Sequence, residues 1–165
     1  MHPIEKLLGD TTPFLEKIFA ALEKDGVDVS WYELDHICYR TDTLEKYNEL
    51  RHKFLEYGIL LVEFQIGGRA ISTFKLCEPI IFGERKIWCI ELPSPKEGRF
   101  YPDGYEHVEF VINLEFNKFI ELYPQVNFDT RAISKEVNAD IIISYNGFSV
   151  KFHHNTLEYV IKHLQ

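Results

Sequence analysis

Apolar residues along this chain recur first with a helical period, then with a strand period, and the change repeats in the second half. Over residues 2–24, Ile4, Leu7, Leu8, Phe14, Leu15, Ile18, Phe19 and Leu22 fall at helical spacing. Thr12 before Pro13 marks a fresh helix start inside that stretch, so a short helix is expected ahead of a longer amphipathic one. Asp25-Gly26 is the stop signal. From Leu34 the pattern predicts a strand over 34–40, an amphipathic helix over 44–57 and a second strand over 59–64 after Gly58. Gly67-Gly68 turns the chain into a third strand over 70–77. A loop through Pro79 and Gly83 then leads to a fourth strand over 86–92, closed by Pro93 and Pro95.

The second half repeats this order, with a strand over 106–112, a helix over 116–123, a short strand over 126–128 and a pair over 140–145 and 148–153. Asn146-Gly147 joins the last two as a hairpin signal. A helix over 157–164, capped by Asn155 or Thr156, ends the chain. The strand openings match in detail, Asp35-His36-Ile37 against Glu106-His107-Val108, at an offset of 71 residues. The expectation is therefore an α+β fold of two βαβββ modules from an internal duplication, forming one cupped mixed sheet with N-terminal helices added. The boundaries are a single domain over 1–165, with a helical extension at 1–30, modules at 34–95 and 105–155, and a C-terminal helix at 156–165.

Composition narrows the partners. The formal net charge of -8 argues against an extended phosphate-binding surface, so nucleic acid is not an expected partner. Asp10, Glu16 and Glu23 interrupt every early apolar run, which leaves no signal peptide or spanning helix and points to the cytoplasm. Cys38, Cys77 and Cys89 have no paired spacing and read as reduced thiols on strands.

Alternation along strands places the chemistry. His36, Cys38 and Arg40 share one face of the first strand, Cys89 and Glu91 one face of the fourth, and His107 and Glu109 one face of the fifth. If the modules pair about a pseudo-twofold axis, His36 and His107 face one concavity and meet Glu91. Two imidazoles and a carboxylate form a facial ligand set for Zn, Fe, Mn or Ni, with positions open to substrate. Arg40 and, if odd positions of the third strand face inward, Arg69, Thr73 and Lys75 would suit an anion there; the alternative is that they pair with carboxylates at strand ends. Glu109 is a candidate for a hydrogen-bonding support or a general base. Phe100, Tyr101 and Tyr105 lie between the modules, where they would roof the cup or cover a core edge.

The paired [Asp/Glu]-His-[Ile/Val] openings and Trp88-Cys89-Ile90-Glu91-Leu92 resemble the vicinal oxygen chelate superfamily of glyoxalases, extradiol dioxygenases and bleomycin or fosfomycin resistance proteins. Over nearly its full length, including Tyr105-Glu106-His107-Val108-Glu109-Phe110, the chain is similar to the YecM-like group. The resemblance implies a divalent metal held by His36, Glu91 and His107. It also implies a further Glu on the last strand, where this chain has Lys151. An ammonium cannot ligate a metal. Three readings follow: Lys151 pairs with Glu91 or Glu109 and the metal is lost, Lys151 holds an anionic substrate, or His153 substitutes as ligand. The expected function is accordingly a metal-dependent isomerase, lyase or oxygenase on a small oxygen-rich substrate. The alternative is a metal-independent protein that sequesters a small ligand.

Overall fold

A computed structural model describes residues 1–163. It is α+β, and its element order is the expected pair of βαβββ modules behind N-terminal helices. The chain divides into two compact units, each drawing on both halves of the sequence. The first comprises Met1–Thr11 and His36–Glu106, and the second Thr12–Asp35 and His107–Gln165.

In the first unit, α1 (Glu5–Leu8) precedes β1 (Glu33–Arg40), whose residues from His36 onward belong here; α3 (Leu44–Lys53), β2 (Gly58–Ile66), β3 (Arg69–Phe82) and β4 (Arg85–Pro93) follow. The strands run in the order β2-β3-β4-β1, with β1 parallel to β4 and the other pairs antiparallel. Thr43 caps α3 by accepting from the Lys46 N–H at 3.1 Å. The helix is shorter than the periodicity predicts, since its last turn tightens into a single 3-10 turn over Phe54–Glu56. Ile37, Ile90 and Phe74 lie in one row across β1, β4 and β3, all fully buried, and Phe74 meets Phe54 edge to face at 5.1 Å. Behind them the Tyr47 hydroxyl joins Glu63 and Ser72, each at 2.7 Å. Burial pushes that phenol up to about 12.

The loop expected through Pro79 is instead strand. β3 continues to Phe82 and turns at Gly83, and its register against β4 shifts between Lys75 and Ile80. The extra residues bulge out of the ladder there, so the proline's missing N–H interrupts no pairing. Within the shift Trp88 is 39% exposed, not in the core with Ile90 and Leu92 as alternation implied.

In the second unit, α2 (Thr12–Lys24) stands with β5 (Gly104–Val111, from His107), α4 (Phe116–Leu122), β6 (Phe128–Asp129), β7 (Asp140–Ser144), β8 (Ser149–His153) and α5 (Leu157–His163). Its strand order is β5-β8-β7-β6, with β5 parallel to β8. α2 ends as its sequence predicts: Val27 N–H bonds the Leu22 carbonyl at 2.9 Å, Gly26 N–H bonds Glu23 at 3.0 Å, and Gly26 takes φ +70°. This double bond pattern over a left-handed glycine satisfies the orphaned carbonyls of the last turn. The core gathers Phe110, Phe119 and Phe152, with the Phe119 and Phe152 rings 4.8 Å apart. Thr156 caps α5 through the Tyr159 N–H at 3.1 Å, and the expected end at Leu164 lies outside the described residues. Among the described residues no helix is long and apolar enough to cross a membrane.

Candidate functional site

The polar face of each unit is a lattice set by strand register. In the first unit His36 stands directly across from Cys89, and Cys38 across from Glu91, on the parallel pair β1 and β4. One strand further out, Lys75 faces Cys89 and Thr73 faces Glu91. Paired residues share a face, so His36 and Glu91 are diagonal neighbours with the two thiols on the other diagonal. His36 is fully buried, Cys38 and Cys89 nearly so, and Glu91 half-buried.

The second unit repeats that lattice with different chemistry. His107 faces Ser149 and Glu109 faces Lys151 on the parallel pair β5 and β8. Lys151 therefore stands at the point that Glu91 occupies in the first unit, and Glu109 at the point of Cys38. The carboxylate has changed strands. Glu109 is buried and is the hub of the face: its Oε1 lies 3.2 Å from His107 Nε2 and 3.3 Å from Lys151 Nζ, and its Oε2 lies 3.4 Å from His153 Nδ1. Glu109, one of the partners anticipated for Lys151, lies beside it.

His153, fully buried, turns both ring nitrogens toward side-chain oxygens. Nδ1 is 3.0 Å from Asn138 Oδ1, and Nε2 is 3.6 Å from Asp35 Oδ2. Asp35 in turn accepts from the Leu157 N–H at 2.8 Å at the start of α5. Alternation along β8 predicts the facing of His153. Its partners come from distant positions that periodicity does not connect, and the one local hint is Asn138 at φ +50°.

The other candidates occupy the first unit. The Arg40 guanidinium lies over the Tyr101 ring at 4.5 Å, and Arg69 donates to the Tyr101 hydroxyl at 3.3 Å and to the Ser94 carbonyl at 3.1 Å. The Tyr105 hydroxyl donates to the Gly9 carbonyl at 2.7 Å, and its ring meets Tyr39 edge to face at 5.1 Å. Burial first, then the nearby Glu5 carboxylate, pushes the Tyr105 phenol far above its ordinary range. Phe100, on the irregular linker, is 98% exposed and covers no core edge.

A feature that sequence reasoning missed lies in the second unit, a cleft of about 630 Å³ lined by Asp25, Gln125, Asp129, Arg131 and Tyr145 among others. Arg131 clasps Asp129 and holds its carboxyl down to about 2, and Tyr145 donates to Asp25 at 2.6 Å. None of the candidate site residues lines it.

A duplicated βαβββ chain with a histidine at the same register point of each module has the architecture of the vicinal oxygen chelate fold. The YecM protein family model matches residues 3–141, and the chain belongs to that family. Protein YecM of Escherichia coli (strain K12) is 31% identical over 112 residues, covering 66% of this chain and 58% of that protein. An uncharacterized protein of Haemophilus influenzae is 30% identical over 106 residues, covering 64% and 56%. The matched stretches thus span less than two thirds of those relatives. Over almost the whole chain the structure is similar to that of the structural-genomics protein EC4020, with a TM-score of 0.81 at 25% identity, covering 97% of this chain and 92% of that one. A hypothetical protein from Bacillus halodurans shares the fold at a TM-score of 0.53 and 15% identity, covering 76% and 96%.

Proposed function

We propose that this protein is a divalent-metal-dependent enzyme of the vicinal oxygen chelate type, acting on a small oxygen-rich substrate, with His36, Glu91 and His107 as ligands. The observation that carries the reading is the carboxylate of Glu109 set 3.2 Å from His107 Nε2. A carboxylate this close to a ligating imidazole raises its basicity. The donor chemistry fits. His36 and His107 are buried imidazoles on the polar faces of their strands, and Glu91 is a half-buried carboxylate diagonal to His36. Two nitrogens and an oxygen suit zinc, iron, manganese or nickel.

When bound, the ion supplies Lewis acidity toward vicinal substrate oxygens. The chain's own residues do the rest. Glu109 sets its charge beside the His107 ring. Lys151, a quarter exposed, balances the Glu109 charge from one side while its outer part stays open to an anionic group of the substrate. Arg40 and Arg69 hold Tyr101 in place. Tyr105 is tied to the Gly9 carbonyl through its hydroxyl, and burial holds its proton tightly.

The test is metal content by plasma mass spectrometry on untagged protein, comparing wild type with His107→Ala and Glu91→Ala. Stoichiometric metal in the wild type, lost in both variants, is expected. A wild-type protein that takes up no metal after incubation with iron, manganese, nickel and zinc refutes the reading and leaves a cup that binds organic ligands alone.

A further inference from the structure

We propose that the substrate is an amphiphilic anion, its charge taken by Lys75 beside Thr73 and its hydrocarbon part laid along β2 over Ile59, Val62 and Phe64; this deepens the metal-dependent reading above and rests on it. Strand register places these side chains on the face of the first unit that carries His36 and Glu91. From β1 outward one row reads His36, Cys89, Lys75 and Ile59, and the next reads Cys38, Glu91, Thr73 and Val62. Paired strands lie about 4.8 Å apart, so the face changes character over short steps. Imidazole and carboxylate come first, then an ammonium and a hydroxyl, and hydrocarbon last.

The apolar end is not part of the core. An antiparallel strand with one solvated face ordinarily turns its apolar residues inward and its polar ones outward. The core of this unit lies on the opposite face, where Ile37, Ile90 and Phe74 are fully buried. Glu63 and Ser72 point to that opposite face, since the Tyr47 hydroxyl reaches each of them at 2.7 Å. The outer face of β2 nonetheless bears Ile59, 59% exposed, with Val62 and Phe64 half-buried, and Phe64 pairs with half-buried Ile71 on β3. A register shift after Leu60 sets Val62, not Leu61, across from Thr73. Bulges of this kind re-aim side chains beside binding sites. An apolar strip that adjoins a polar constellation is the surface a ligand's hydrocarbon would cover.

Charge points the same way. Lys75 is the diagonal neighbour of Glu91, so its ammonium is anchored beside the proposed dication, and like charges repel. A negative group on the substrate offsets both. Thr73, 3% exposed and directly across from Glu91, offers its hydroxyl to the same group. A neutral polyol, with neither charge nor hydrocarbon, matches neither half of this face.

The experiment follows the backbone amide resonances of the zinc-loaded full chain during titration with three probes that all carry vicinal oxygens. They are α-hydroxyoctanoate, lactate, which lacks the tail, and the uncharged vicinal diol of the eight-carbon chain. α-Hydroxyoctanoate is expected to bind at least about 10-fold tighter than either of the others, and to shift the amides of β2 and of Thr73 and Lys75. Lys75→Gln is expected to remove the advantage over the diol and keep the advantage over lactate; Ile59→Ser, at an exposed position, does the reverse in part. Equal affinity for the three probes, binding of none, or shifts confined to other strands overturns the substrate class and leaves the metal site standing. Shifts along β2 that follow protein concentration without any probe assign the strip to a second copy of the chain and overturn it as well. A chain that takes up no zinc yet keeps both preferences overturns the metal reading and supports the amphiphilic ligand.

Discussion

Glu109→Gln tests how the second unit prepares His107. The substitution keeps the shape of the side chain and removes its charge, leaving the 3.2 Å contact to His107, the 3.3 Å contact to Lys151 and the 3.4 Å contact to His153 without a carboxylate. Unit charges 3.3 Å apart at an effective dielectric of about 20 attract by roughly 5 kcal/mol. Desolvating a carboxylate this buried costs several kcal/mol in return. The net loss of folding stability is therefore on the order of 1–3 kcal/mol, read as a lower urea midpoint with unchanged slope. Metal affinity is expected to fall by about 10- to 100-fold, the usual effect of removing the carboxylate behind a ligating histidine. Competition against a chromophoric chelator measures it. Wild-type affinity in Glu109→Gln, combined with loss of metal in His107→Ala, would refute the idea that the Glu109 charge strengthens His107 as a ligand.

Other perturbations probe the frame that carries these residues. Gly58→Ala places a Cβ 2.2 Å from the Lys75 carbonyl oxygen, on backbone that cannot rotate away, so about 3 kcal/mol of destabilisation is expected in urea unfolding; a change below about 0.5 kcal/mol would show that β2 and β3 pair differently. The Tyr47 hydroxyl, followed by Arg51 and Ser72, holds the Glu63 carboxyl below its ordinary range. A carboxyl lowered in the folded state adds stability above its unfolded value of about 4.3 and loses it as pH falls through the folded one. Glu63→Gln is thus expected to flatten the acid limb of the stability profile, by on the order of 1 kcal/mol, and an unchanged limb would assign that slope elsewhere. Asp35→Ala removes the acceptor for the Leu157 N–H and is expected to cost about 1–2 kcal/mol with faster hydrogen exchange in α5; unchanged exchange there would show that the helix start is held by Thr156 alone.

Much of this was legible in the chain because it follows from periods of two and 3.6. Alternation grouped His36 with Cys38, Cys89 with Glu91 and His107 with Glu109 on the faces of single strands, and the registers set His36 across from Cys89, Cys38 across from Glu91 and Glu109 across from Lys151. The stop at Asp25-Gly26 was equally local, since a left-handed glycine closes the last turn. What escaped was set by partners far along the chain. The strand through Pro79 depends on a bulge that only its pairing with β4 reveals. The surroundings of His153 depend on Asn138 and on Asp35, 118 residues earlier, and no periodicity couples those positions. Phe100 was misjudged because an aromatic side chain in a loop carries no pattern that distinguishes a roof from an exposed ring.

The chain passes from one unit to the other after Thr11, after Asp35 and after Glu106, and the last two passages fall inside strands, each one residue ahead of a histidine proposed as a ligand. Neither unit is a continuous stretch that can be cut out and made separately. The second unit takes its long helix from residues 12–24 and its strands from residues after 106. On the ribosome α2 must therefore wait, its apolar face without its native partners, until the residues beyond 106 have emerged.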